Sequence, residues 1–380
     1  MKKTLFALLG YALGQTSEID TAILNDEALV KIYNLSKKHD LAHMIGYGLK
    51  KAGIQLDGEL KKPLDDAVNM ALFRYIKTNY DFEAMCAALE KGEVRFMPLK
   101  GSVIRKHYKE PWLRTSCDID VLIHPDDLEK AKAVFSDELK YRYESEWNYD
   151  ISFFTPDGTH IELHHTITSI VGDIDNVLLT VWEHASPAEG CKYRYEMSDA
   201  MYYFYHIAHM AQHFGTGGCG IRPFLDLWIL NHIIEFDKEK RDALLERGGL
   251  VNFSRAAEEL SEVWIGGASY TPTAEALERY TLSGGTYGTM ENKVIAHQSA
   301  KGGRVRFLMS RLFLPYRELK IRYPILEKRK WLFPFCQVAR WFRIFKKEKR
   351  KKSIVEFKIS SEVAKSGDAE SAELFRSLGL

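Results

Sequence analysis

The stretch Phe96–Val121, FMPLKGSVIRKHYKEPWLRTSCDIDV, decides how the rest of the chain is read. Its apolar opening, VRFMPLK from Val94, reads as a short strand. Lys100-Gly101-Ser102 then makes a turn that opens a helix over KGSVIRKHY, and DIDVLI reads as a second strand. Asp118 and Asp120 sit at i and i+2. On a strand that spacing puts both carboxylates on one face and turns Ile119 and Val121 to the other. Two acids held together on an otherwise apolar strand repel each other and are costly to desolvate, and a divalent cation is the usual compensation.

Downstream of this stretch, Pro125-Asp126-Asp127 starts a helix through about Leu139, with acids in the first turn where the helix dipole favours them. Two further strands are expected at about 150–155 and 159–165, joined through Pro156-Asp157-Gly158-Thr159, a hairpin signal. In the second of them His160, Glu162 and His164 share one face, while Ile161 and Leu163 share the other. A third carboxylate thereby joins the first two on a polar sheet face.

Residues 1–92 carry a helical period instead. Leu29, Ile32, Tyr33 and Leu35 lead into Leu41, Met44, Ile45 and Leu49, and Leu64, Ala67, Val68, Ala71, Leu72 and Tyr75 make a second stripe. The first residues, MKKTLFALLGYALGQ, imitate a signal peptide. Gly10 and Gly14 interrupt the apolar run and no small-residue cleavage site follows, so an amphipathic first helix is expected. Helices return after Asp173, with Ser198-Asp199 as an N-cap, IRPFLDLWILNHII after a glycine-rich break, then about 252–262 and 273–280. The expected organisation is a helical region over 1–92, an α/β core over 93–172, a helical region over 173–300 and a basic tail over 301–380.

With 380 residues, 46% hydrophobic and 28% charged, the chain has an ordinary globular composition, and its net charge of +1 conceals an asymmetry. Residues 301–352 hold 18 Lys and Arg against 3 Asp and Glu. The five cysteines are widely spaced with no Cys-x-x-Cys pair, which argues against a disulfide framework or structural zinc and for a reducing cytoplasm. No apolar run approaches the roughly 20 residues that span a bilayer.

A Gly-Ser turn at a helix start, an Asp-x-Asp strand and a later acid on another strand are parts that nucleotidyl transfer needs: an anion cradle and carboxylates that clamp metal ions. Together they resemble the nucleotidyltransferase superfamily with the DNA-polymerase-beta-like core. The phrases LKGSVIRKHY, LRTSCDIDVLI, IELHH, YHIAHMAQHF and IRPFLDLW resemble a bacterial branch described only as uncharacterised nucleotidyltransferases. The resemblance implies an α+β fold: a small mixed β-sheet core flanked by N-terminal and C-terminal helical regions. It implies Asp118, Asp120 and Glu162 as catalytic residues and metal ligands, with Mg²⁺ or Mn²⁺ as the cofactor. Gly101 and Ser102 would contact the nucleotide phosphates. It further implies an enzyme that moves NMP from an NTP, ATP included, to a hydroxyl on an unknown acceptor. A catalytically weak nucleotide-binding module of the same fold is the alternative.

Lys100 and Arg114 flank the motif, where each could neutralise the triphosphate or relieve the acid pair by a salt bridge. His164 shares the Glu162 face. His206, His209 and His213 fall on one helical stripe, open to three readings: a polar seam on the acceptor cleft, ordinary packing, or a metal site. Arg222 and Asp226, at i and i+4, are expected to pair with each other and position their helix at that cleft. In the tail, aromatic residues among lysines over 327–352 leave three readings open: a solvated surface, peripheral attachment to the inner membrane surface, or nucleic-acid contact.

Overall fold

The structure is a computed structural model that describes residues 1–15, 25–147, 149–168, 173–286, 288–300, 309, 313–316, 319–320, 323–344 and 369–380. Two compact units emerge: Met1–Gln212 with Ile221–Glu275, and His213–Gly220 with Ala276–Leu380.

The first unit is built around one sheet. Its strands are β1 (Phe96–Pro98), β2 (Asp118–Ile123), β3 (Arg142–Glu146), β4 (Asp150–Phe154) and β5 (His160–His164), in the order β1-β2-β5-β4-β3. β2 and β5 run parallel and every other neighbouring pair is antiparallel, so the sheet is mixed. One face is apolar. Ile119, Val121, Ile123, Ile151, Phe153, Ile161 and Leu163 all point there and are almost completely buried. Two helices cover that face: α4 (Lys61–Lys91), through Phe82, Met85 and Leu89, and α6 (Leu128–Ala133), which runs on as a wider turn bearing Phe135. Leu89 is completely buried, and Leu89→Ala would cost about 2–5 kcal/mol from lost transfer energy and the cavity left behind.

The N-terminal helices follow the sequence period. α1 (Lys2–Leu13) buries Leu5, Leu8 and Leu9, and Phe6 stacks on Trp264 with ring centroids 4.3 Å apart. α2 (Asp26–Lys38) starts at Asn25, whose side chain accepts from Ala28 N at 2.9 Å, with Asp26 and Glu27 in the first turn. α3 (Ala42–Lys51) packs between α1 and α4, and Gly48 allows the first approach: a Cβ there would meet the Leu8 carbonyl at 3.0 Å.

Beyond the sheet come α7 (Asp175–Leu178), a small antiparallel ribbon of β6 (Ala185–Pro187) and β7 (Tyr195–Met197), and the helix α8 (Asp199–Gly215). The segment entering β7 lies along the outer edge of β1. Phe96 N donates to Tyr193 O at 3.0 Å, and the Glu90 carboxylate accepts from the backbone N–H groups of Lys192, Tyr193 and Arg194. α9 (Arg222–Ile233), α10 (Lys238–Arg247) and α11 (Val251–Ser261) complete the unit. The fold is therefore α+β, mostly helical, with a five-stranded mixed sheet among flanking helices.

The second unit contains the helix Met290–Ala300, the C-terminal helix Ala369–Leu378 and a small core of Leu314, Leu319, Leu326 and Cys336. In it Phe214, Tyr280 and Phe375 pack ring against ring. The helix Phe333–Ile344 belongs to the same unit; the tail expectation for 345–352 lies outside the described residues. Among the described residues no helix is long and apolar enough to cross a membrane.

Candidate active site

The parallel register of β2 and β5 assembles the polar face of the sheet. Asp118 stands opposite His160, Asp120 opposite Glu162 and Leu122 opposite His164. Ser152 on β4 is opposite Glu162 from the other side. Because side chains alternate along each strand, five ionisable groups converge while Ile119, Ile161 and Leu163 go to the core. Two overlapping sets, Asp118/His160/Glu162 and Asp120/Glu162/His164, bring ligand atoms within 4.8 Å of one another. Carboxylate oxygens with imidazole nitrogens form a donor set that suits a divalent ion, so these residues fit the cation.

The two aspartates differ in their surroundings. Asp120 is buried, and its Oδ1 accepts from Lys100 Nζ at 2.7 Å and from His164 Nε2 at 2.8 Å. Burial alone would raise its pKa; the Lys100 ammonium and the His164 ring outweigh that and hold it well below the usual carboxylate range. Asp118 is pushed the opposite way, by burial first and then by the charge on Asp120. Burial opposes the charge on His164, but its bonds to Asp120 and to Glu162 raise it to about 9, so it carries a proton at neutral pH. Burial likewise opposes the Lys100 charge, and Asp120 overcomes it. His160 places Nδ1 3.8 Å from Glu162 Oε1 and Nε2 3.3 Å from Ser152 Oγ.

Lys100 reaches Asp120 from an unusual backbone. Its φ of 50° and ψ of −126° lie in territory that favours glycine, and the strain is held from two sides. Leu99 N donates to Asp120 O at 3.0 Å, and Tyr202 Oη donates to the Lys100 carbonyl at 2.9 Å. Gly101 follows and begins the single helical turn α5 (Gly101–Ile104), where the sequence pattern predicts a longer helix. The chain tightens over Arg105–His107 and leaves helical geometry at Tyr108, ahead of Pro111. Gly101 is needed for close approach: a Cβ would meet Arg114 Nη1 at 3.2 Å. Ser102 lines a small cavity of about 50 Å³ with Lys106, His107, Arg194 and Tyr202. Arg105 is buried, donating to Gly101 O at 3.0 Å and to Ser116 Oγ at 2.6 Å, so it ties the turn to the loop before β2.

Arg114 lies behind the turn. Its Nε bonds both oxygens of Asp226 at 2.7 and 2.9 Å, its Nη1 donates to Thr115 O, and Tyr108 Oη adds a 2.6 Å bond to Asp226. Burial would raise the Asp226 pKa, and Arg114 brings it below the usual value. The expected Arg222–Asp226 pair does not form. Asp226 is 1% exposed and filled by Arg114 and Tyr108, while Arg222 Nη2 pairs with Asp40 Oδ2 at 2.5 Å at the α2–α3 turn. Each partner found a better-placed opposite charge across the fold than along its own helix.

Of the three histidines on α8, His206 bonds Pro223 O at 2.9 Å, a packing role, and His209 lies against the Tyr205 ring, centroids 6.2 Å apart. His213 falls in the second unit. Sequence reasoning gave no role to Tyr202, to Tyr205, whose buried hydroxyl is influenced by Lys100 and all three acids, or to Arg105. The signal present was the aromatic spacing of Tyr202, Tyr205 and His209 on one stripe of α8.

A five-stranded mixed sheet that presents an Asp-x-Asp strand beside a parallel strand with a third carboxylate defines a nucleotidyltransferase-type core. Residues 26–266 match the family described as uncharacterised nucleotidyltransferase, and the chain belongs to that family. Neither the curated proteins nor the solved structures give a match.

Proposed function

We propose that the protein is a divalent-cation-dependent nucleotidyltransferase that moves NMP from an NTP to a hydroxyl of an acceptor. The observation that carries this reading is the β2–β5 register, which sets Asp120 across from Glu162 and Asp118 across from His160 in a chain of this family. Asp118, Asp120 and Glu162 would hold the ion, which supplies positive charge to the phosphates when bound. The backbone at Gly101-Ser102 offers N–H groups to the phosphates, and Lys100 with Arg114 behind it adds positive charge to the same corner.

In the transfer, the acceptor oxygen forms a new bond to the α-phosphorus while the bond from that phosphorus to the bridging oxygen breaks. Pyrophosphate leaves, and the hydroxyl proton passes to the Glu162 carboxylate. Incubation with labelled NTPs and Mg²⁺ or Mn²⁺, wild type against Asp118→Ala/Asp120→Ala, tests the reading. Nucleotide transfer or metal–nucleotide binding that survives the double substitution would refute it.

A second reading concerns the tail. Trp331, in the short turn Lys330–Leu332, and Phe335, on the helix Phe333–Ile344 that follows, are 65% and 63% exposed; Val338 is exposed on that helix too, and Lys328, Arg329 and Lys330 precede them. We infer that this face lies on an anionic membrane surface. The five cysteines, all free, accord with a cytoplasmic location. Co-sedimentation with phosphatidylglycerol vesicles, lost with Trp331→Ser/Phe335→Ser, is expected. Equal binding to neutral vesicles, or binding to single-stranded RNA alone, would overturn it.

A further inference from the structure

A cavity of about 310 Å³ lies in the first unit among α2, α3 and α4, and it shares no residue with the acid cluster on the sheet. Two groups on its wall are buried and short of partners. Thr115 is 4% exposed, and its hydroxyl makes no hydrogen bond among the described residues. His43 is 3% exposed, and its Nε2 meets the Leu113 carbonyl at 2.9 Å. A carbonyl only accepts, so Nε2 carries the ring proton. Burial lowers the pKa of the ring to about 4, which keeps it neutral and leaves Nδ1 an acceptor without a partner among the described residues. Unpaired polar groups at such depth are costly, and a polar ligand would satisfy both. The rim carries two charges of each sign. Lys37 and Asp66 make no ion pair among the described residues, while Asp40 is shared by Arg222 and Arg74. An apolar ligand would leave Thr115 and His43 unpaired, and a net-charged one meets a rim with no net charge. Asp66 and Arg74 are eight residues apart on α4, about 12 Å, too far for the adjacent charges of one α-amino acid. Hydroxyl groups both donate and accept, so they suit the imidazole, the threonine and the rim charges alike. The half-buried Tyr33 ring offers apolar surface to the C–H groups between them.

We propose that this cavity is a second ligand site, for a neutral polyhydroxylated molecule of monosaccharide size, and that its occupant steadies Arg114. The cavity wall is tied to the Arg114–Asp226 clamp at three points. His43 bonds the Leu113 carbonyl just before Arg114, and Thr115 follows Arg114 and accepts from its Nη1 through the backbone carbonyl. Asp40 on the rim bonds Arg222, one turn before Asp226 on α9. A ligand that bonds His43 and Thr115 therefore orders the loop on both flanks of the arginine whose Nη1 lies against Gly101. This coupling rests on the nucleotidyltransferase reading, which puts the nucleotide phosphates at Gly101; the ligand site itself does not. By linkage, ligand and nucleotide raise each other's affinity by the same factor.

The test uses the full chain and a panel of glucose, galactose, mannose, N-acetylglucosamine and myo-inositol, set against alanine, glutamate and lysine. Saturation-transfer NMR detects binding and calorimetry measures it. At least one member of the polyol panel is expected to bind with an affinity on the order of millimolar or tighter, and the amino acids are not. Thr115→Val keeps the shape and removes the hydroxyl. It should weaken that ligand about 10-fold and leave the thermal midpoint at or above wild type, since the hydroxyl has no partner to lose among the described residues. Ala67→Phe, on the half-buried α4 lining, should fill the cavity and abolish binding. With the ligand saturating, ATP with Mg²⁺ should bind several-fold tighter to the wild type and not to Ala67→Phe. No binding by any polyol, preference for an amino acid, or undiminished binding in Thr115→Val would overturn the site. Should Ala67→Phe fail to fold, Thr115→Val decides. Polyol binding that leaves ATP affinity unchanged would overturn the coupling to Arg114. Polyol binding with no ATP binding at all would instead refute the nucleotidyltransferase reading and leave the cavity's assignment standing.

Discussion

Arg114 and Asp226 make a double-substitution experiment decisive about what holds the phosphate corner in place. Asp226 is 1% exposed and receives Arg114 Nε at 2.7 Å and Tyr108 Oη at 2.6 Å. Arg114→Met leaves a carboxylate buried with its main partner gone, which costs about 3–5 kcal/mol. Asp226→Leu strands the guanidinium and also takes the acceptor from Tyr108, worth about 1–3 kcal/mol more for a buried hydroxyl. The double variant buries neither charge. It should therefore be no less stable than the milder single one, since a buried pair replaced by apolar groups is often neutral. Urea unfolding followed by circular dichroism measures all four proteins, with the slope checked for constancy. Costs that simply add would mean the two residues act separately, and the clamp would be refuted. Nucleotide affinity should follow the single substitutions, because Arg114 Nη1 lies against Gly101.

Three further outcomes are expected. His164, raised to about 9 from an unfolded value near 6.5, stabilises the fold fully below pH 6.5, and that contribution is lost as pH rises through 9. The loss is about 3 kcal/mol at most, visible as a urea midpoint that falls between pH 6 and 9.5 in wild type and not in His164→Asn. His43, buried with its ring bonded to Leu113 O, is lowered to about 4 mainly by that burial. It stays neutral in the fold, so stability present above pH 6.5 is lost as pH falls toward 4, and a His43→Gln protein should show a flatter acid limb in the same titration. Gly101→Ala should cost about 1–3 kcal/mol by crowding Arg114 and should weaken nucleotide binding more than Ser102→Ala does, measured by calorimetry.

Much of the site was readable because strand alternation is a local rule. The i, i+2 spacing of Asp118 and Asp120 and the His160–Glu162–His164 face needed only the chain itself. The pairing of those faces did not: β2 and β5 are separated by two strands and a helix, and their parallel register is a tertiary fact. Lys100 was legible as a nearby cation, but its bond to Asp120 depends on a strained backbone that Tyr202, about a hundred residues away, helps to hold. β3, with the sequence Arg-Tyr-Glu-Ser-Glu, is an exposed edge strand with no apolar alternation to reveal it. α10 is so rich in charge that its two buried leucines give no visible stripe. The Arg222–Asp226 expectation failed because helical spacing counts only neighbours on one helix, and both residues found partners elsewhere.

Glu90 has a consequence for how the protein behaves in bulk. Its carboxylate holds the Lys192–Arg194 strap that covers the free edge of β1. Burial disfavours the charge, yet three amide donors keep its pKa below the ordinary value, so the strap stays fastened until the medium is distinctly acid. Glu90→Gln should loosen it at neutral pH and bare a row of unpaired backbone groups next to the strand that carries the acids. Such an edge templates the same edge on another molecule. Light scattering at rising concentration should then show self-association in the variant at neutral pH, and in the wild type only as acid protonates Glu90. A single carboxylate thus acts as a guard against aggregation.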